Sequence, residues 1–90
     1  MNVSSAKSEV EVLIKNGFIK NLDDLFRHLP KSRIAKVLDM NPTSFTNYKA
    51  HQPESFKLRE LLIISEYLNV SLESITTIFA NSISNPESKN

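Results

Sequence analysis

The sequence predicts an all-α domain built of five or six short helices. Three observations carry that prediction. Apolar residues recur at i, i+3, i+4 through most of the chain, with almost no alternation of strand period. Helix-start residues (Asn21, Asn41, Ser71) and breakers (Asn16-Gly17, Pro30, Asn69) alternate at intervals of one short helix. No segment is set apart by composition as a second domain, and 90 residues suit a single one packed helix on helix.

The elements follow in order. Val10, Leu13 and Ile14 place a helix at about 8–16, stopped by Asn16-Gly17. Leu22, Leu25, Phe26 and Leu29 line one face of the next. Asn21 is its N-cap, and Asp23 and Asp24 lie in the first turn, where the helix dipole favours acids. Pro30 disfavours helical dihedrals at Leu29 and closes it. From Lys31 to about Leu38, Ile34, Ala35 and Leu38 share a face. Asn41 caps another helix with Pro42 at its first position, only three residues after the last one stops. Phe45 and Tyr48, three apart, are its inward positions. After the loop Ala50–Ser55, the stripe Leu58, Leu61, Leu62, Leu68 is widened by Ile63, Ile64 and Tyr67. Ser71 then caps a last helix with Leu72, Ile75, Ile78 and Phe79 on one face. Residues 1–8 are largely polar and read as a flexible N-terminus. Residues 81–90, rich in Asn and Ser and carrying Pro86, read as a flexible tail, leaving 9–80 as the folded domain.

Composition removes whole classes of function. With no Cys there is no disulfide framework, zinc finger or thiol nucleophile. The single Gly cannot build a glycine-rich phosphate loop. The longest apolar run, Leu61–Ile64, is far short of the roughly 20 residues of a membrane span. The first residues lack a basic head before an apolar stretch, so no secretory signal is read and a cytoplasmic location is expected. His28 and His51 have no Cys and no partner at i+4, so no metal site is expected. Asp23-Asp24 reads as a helix start rather than a catalytic pair, and no Ser, His and acid stand at a recognisable spacing. The expectation is a non-enzyme without cofactor or small-molecule substrate.

Function is expected to lie between residues 31 and 49. Two helices joined by a turn of three or four residues form a helix-turn-helix pattern. Their steep crossing requires a small residue, supplied by Ala35, between apolar walls of Ile34, Leu38, Met40, Phe45 and Tyr48. The second helix keeps an outer face of Pro42, Thr43, Ser44, Thr46 and Asn47. These are short enough to enter a DNA major groove and offer hydroxyl and amide groups to base edges. Charge is placed accordingly. From Arg27 to Arg59 there are seven Lys and Arg against two acids, an excess of five. The rest of the chain has four against eight, so the total is only +1.

The stretch KSRIAKVLDMNPTSFTNYK resembles the helix-turn-helix of the Cro/phage-repressor-like (lambda repressor-like) family of bacterial DNA-binding proteins. Ile34-Ala35 matches its apolar-Ala pair, Leu38-Asp39-Met40 its turn, and Phe45 and Tyr48 its paired apolar positions. FKLRELLIISEYLNVSLESI is similar to the two helices that follow. The likeness spans about Leu22–Phe79. It implies a five-helix lambda repressor-like domain, here with an additional short N-terminal helix. It also implies a transcription regulator that binds double-stranded DNA with the recognition helix at about 42–49. Asp39 stands where the family has Gly, Lys31 where it often has Gln, and Ala50-His51 where Gly often follows the recognition helix. Lys31, Arg33, Lys49, Gln52 and Lys57 are assigned to the DNA backbone. Pro42, Thr43, Ser44, Thr46 and Asn47 are assigned to base edges. Leu61–Ile64 and the face Ile75–Phe79–Ile83 suggest a homodimer. The alternative is a helix-turn-helix module that binds another protein, as an antitoxin or anti-regulator does, with DNA contact weak or lost.

Overall fold

The computed structural model describes the backbone of residues 4–88 and the side chains of residues 7–83. Six α-helices lie among the described residues: α1 Ser4–Lys15, α2 Leu22–His28, α3 Lys31–Val37, α4 Pro42–Asn47, α5 Leu58–Leu68 and α6 Leu72–Ser88. Two 3₁₀ turns, Lys49–His51 and Pro53–Ser55, connect α4 to α5. No strand occurs among the described residues. Helix packs on helix throughout: α3 on α4, α5 on α6 and α3, α1 on α5 and α2, with α2 and the second 3₁₀ turn against α6. A single core results. Val10, Leu25, Leu29, Ile34, Ala35, Phe45, Ile64, Leu68 and Ile75 lie at its centre, with every helix contributing.

Capping side chains start the helices where the sequence predicts. Asn21 Oδ1 accepts from the Asp24 amide at 2.9 Å, Asn41 Oδ1 from Ser44 at 3.0 Å, and Ser71 Oγ from Ser74 at 3.1 Å. Three of the helices end alike. Gly17, Asp39 and Asn69 all have positive φ, at 79°, 61° and 59°. At each, the next amide reaches back to a carbonyl five residues earlier: Phe18 to Leu13, Met40 to Ala35, Val70 to Ser65. This is the Schellman arrangement, which satisfies carbonyls a helix end leaves open. Gly tolerates the left-handed region freely, whereas Asp and Asn do so at some cost.

The ends of the fold depart from the periodicity. The expected helix at 8–16 begins instead at Ser4. Lys7 lays its ammonium over the Tyr67 ring at 4.7 Å, a contact to α5 that no local pattern reveals. α6 runs to Ser88, through residues read as tail. Its polar side chains at that point complete the start of α2. Asn81 Nδ2 donates to the Lys20 carbonyl at 2.7 Å, and Ser82 Oγ accepts from the Leu22 amide at 2.8 Å while donating to Ile78. The expected flexible ends at residues 1–3 and 89–90 lie outside the described residues.

Asp39→Gly should raise stability by up to about 1 kcal/mol, because it removes the left-handed penalty at an exposed turn. Urea unfolding of the two proteins measures this, and an unchanged or lower midpoint would show that Asp39 bears no strain.

Candidate nucleic-acid interface

α3 opens after Pro30, whose carbonyl accepts from the Arg33 amide at 3.0 Å. Ile34 and Ala35 turn inward, and the Asp39 turn reverses the chain. Asn41 and Pro42 then restart it as α4. Of the six residues in α4 only Phe45 is buried, at 1% exposure. Pro42, Thr43, Ser44 and Asn47 are exposed and Thr46 is half-buried. The residues expected at base edges therefore form the outer face of α4, with Thr46 on its flank.

Phe45 is fixed by aromatic contacts. Its ring meets Phe26 edge to face at 6.3 Å between centroids and Phe56 at 6.0 Å, and Phe56 in turn meets Phe79 at 4.7 Å. Four rings thus run from α2 through α4 and the 56–57 link to α6. Lys31 places its ammonium 5.7 Å from the Phe26 centroid, at one end of this row.

The residues expected at the DNA backbone fall into two groups. Gln52 and Lys57 are exposed, and Lys31 is half-buried beside the Phe26 ring of α2. Arg33 and Lys49 are engaged within the molecule. Arg33 Nη1 points to the Tyr67 hydroxyl on α5 at 3.4 Å. Lys49 Nζ donates to the Ser55 carbonyl at 3.1 Å, pairs with Glu60 Oε1 at 3.1 Å, and sits 4.5 Å from the Phe56 ring centroid. The two side chains of that pair are only 19% and 15% exposed.

Glu60 is a hub that the sequence reading missed, although it stands three residues after the N-cap, where a capping carboxylate belongs. Lys57 at the N-cap has no side-chain acceptor, so one half of a capping box forms: Glu60 Oε1 accepts from the Lys57 amide at 2.9 Å. Partial burial pushes the carboxyl up. The hydrogen bonds from the Lys57 amide and the Lys49 ammonium, with the charges of both lysines, outweigh it and hold Glu60 below the usual carboxylate range.

Four sequence expectations are corrected. Tyr48 is not core but 67% exposed. The chain leaves the helix there, at φ −126° and ψ −64°, and the 3₁₀ turn brings buried Ala50 to the inward position in its place. The recognition segment, expected to reach residue 49, consequently ends as α-helix at Asn47. Within α5, Leu61, Ile64, Ser65 and Leu68 face inward, while Leu58 and Leu62 face out. The surfaces suggested for a homodimer are also largely internal: Leu61, Ile64, Ile75 and Phe79 belong to the monomer's own core, leaving Leu62 and Ile83 of those surfaces exposed.

No protein-family model, curated protein or solved structure matches the chain. Among the described residues, no three His, Cys, Asp or Glu gather as a metal site, and no helix is long and apolar enough to cross a membrane.

Because folded Glu60 titrates below its unfolded value, its contribution is complete above that unfolded value and is lost as pH falls through the folded one. Glu60→Gln should cost about 1 kcal/mol at neutral pH. It should also flatten the decline in stability below about pH 5. Thermal unfolding of both proteins across pH 3 to 7 reads the two effects; parallel curves would remove Glu60 from this role.

Proposed function

We propose that the protein is a sequence-specific DNA-binding transcription regulator of lambda repressor-like architecture, acting as a homodimer with α4 in the major groove. The observation that carries this reading is the presentation of α4. A six-residue helix is held by one buried ring, and its whole outer face, Pro42, Thr43, Ser44 and Asn47, is short, polar or compact, and open to solvent. A helix so exposed fits the width of a major groove, and its hydroxyl and amide groups match base-edge donors and acceptors.

The charge pattern supports the same reading. Lys57, Arg59, Lys36 and Lys31 stand on or near the elements flanking α4, in a window of the sequence with an excess of five positive charges. These cations suit phosphates on either side of the groove. Lys49 contributes differently. Its ammonium holds the loop behind α4, and it becomes available to phosphate only by leaving Glu60 and Ser55. Asn47 and Thr43 are the leading base readers, and Lys57 the leading phosphate contact.

The test begins with selection from a random duplex pool at moderate salt with competitor DNA. Enrichment of a palindromic site, with half-sites about one helical turn apart, is expected. On that site Asn47→Ala should cost about 1–3 kcal/mol and relax one base position. Lys57→Ala should weaken all sequences alike and reduce the salt slope by about one. Absence of enrichment, or binding without salt dependence, would instead favour a protein-binding helix-turn-helix module.

A further inference from the structure

Phe18 takes no part in the core or in the assignments above. Its side chain is 70% exposed, the most of any large apolar side chain among the described residues. Its backbone is nevertheless fixed. The Phe18 amide donates to the Leu13 carbonyl at 2.9 Å, the Lys20 amide to Asp24 Oδ2 at 3.0 Å, and Asn81 Nδ2 to the Lys20 carbonyl at 2.7 Å. Between α1 and α2 the chain is thus held with Ile19 buried and with Phe18 and Lys20 outward. Beside this loop lies a groove of about 290 Å³, between the end of α1 and one flank of α6. Ile14, Ile19 and Ile78 supply its apolar lining. Lys20 borders it on the loop side and Glu73 on the α6 side. Both are exposed, and neither is in an ion pair among the described residues. No residue of α3 or α4 lines it.

We propose that this face joins two copies of the chain: Phe18 of each copy enters the groove between α1 and α6 of the other, and Lys20 of each meets Glu73 of the other. Contact about a twofold axis requires a patch that is its own complement. Here a projecting ring and an apolar recess adjoin on one surface. A cation and a carboxylate stand on opposite walls of the recess, so one half-turn can bring ring to recess and cation to carboxylate together. The sizes agree. A cavity of about 150 Å³ already admits benzene, so a groove of about 290 Å³ takes a phenyl ring. The loop is held in the free protein, which lowers the ordering cost of seating the ring. Aromatic anchors seated in pockets carry much of the energy of an interface. The inference deepens the homodimer of the DNA-binding reading by giving it a contact surface in place of Leu61–Ile64 and Ile75–Ile83. It leaves α4 of both copies open and does not itself need DNA.

Sedimentation equilibrium from about 1 μM to 1 mM tests this, with thermal unfolding at the dilute end as the check on folding. The unaltered protein is expected to pass from monomer to dimer within that range. Phe18→Ala should weaken dimerisation at least about a hundredfold, since each ring contact occurs twice. It should leave the monomer's thermal midpoint in place, since the ring is exposed. Lys20→Glu and Glu73→Lys should each weaken dimerisation about tenfold. An equimolar mixture of those two variants should associate like the unaltered protein, because each cation then meets a carboxylate on the other chain. A protein that stays monomeric throughout overturns the proposal. So does a dimer that Phe18→Ala leaves intact, or a mixture that associates no better than either variant alone. Duplex selection judges the DNA reading separately. A protein that dimerises through Phe18 and enriches no duplex ends that reading and keeps this interface, whereas a monomer that binds a single half-site keeps the reading of α4 and ends this one.

Discussion

The orientation of α4 depends on one side chain. A six-residue helix has too few internal hydrogen bonds to hold its own shape, so its stability comes from packing. Phe45 supplies that packing alone, gripped edge to face between Phe26 and Phe56. Truncating a buried ring of this kind costs about 3–5 kcal/mol, a large share of the roughly 5–15 kcal/mol that holds a small domain together. The row of four rings gives α4 a stiff mount, because each ring is fixed by elements distant in sequence: α2 before it and α6 after it. The helix is thus anchored at Phe45, with Thr46 half-buried on its flank and its other four residues open to solvent.

Behind α4 the polar arrangement serves the same end. Lys49, Glu60, the Ser55 carbonyl and the Lys57 amide form one connected set, and it ties the first 3₁₀ turn to the start of α5. The ammonium also lies on Phe56, so the polar set and the aromatic row meet at that ring. Within this cluster the Lys49 and Glu60 charges are paired, whereas the ammonium of Lys57 and the side chains of Arg59 and Lys36 are exposed to solvent. Charges that brace the loop and charges open to a partner are thus carried by different residues, a separation that net charge alone does not reveal.

Much of the fold was legible because its signals are local. Asn21, Asn41 and Ser71 announce helix starts through their own side chains. Gly17, Asp39 and Asn69 announce stops because few other residue types accept a positive φ. Ala35 marks the close crossing of α3 and α4 and is wholly buried. Where the signal was not local, the reading failed. Four consecutive apolar residues, Leu61–Ile64, cannot say which of them face inward, and Ser65 hides by donating to the Leu62 carbonyl at 2.7 Å. Tyr48 follows the helical spacing of Phe45, but the helix ends before that spacing applies. The outer face of α4 was readable from residue type, whereas the inward turn of Lys49 was not, since its partner lies eleven positions away on another helix.

The closure of α2 by α6 bears on how the chain is made. The Leu22 amide and the Lys20 carbonyl find their partners in Ser82 and Asn81, about sixty residues later, and Phe79 and Ile75 complete the core from the same helix. During synthesis the earlier helices leave the ribosome without the segment that covers them. Until residues through Ser82 have emerged, the start of α2 is uncapped by its tertiary partners and the aromatic row lacks its last ring. A nascent chain therefore carries the α3–α4 sequence before it can hold α4 in place. The rigid mounting of α4 is thus a property of the finished chain, reached only once synthesis has passed that point.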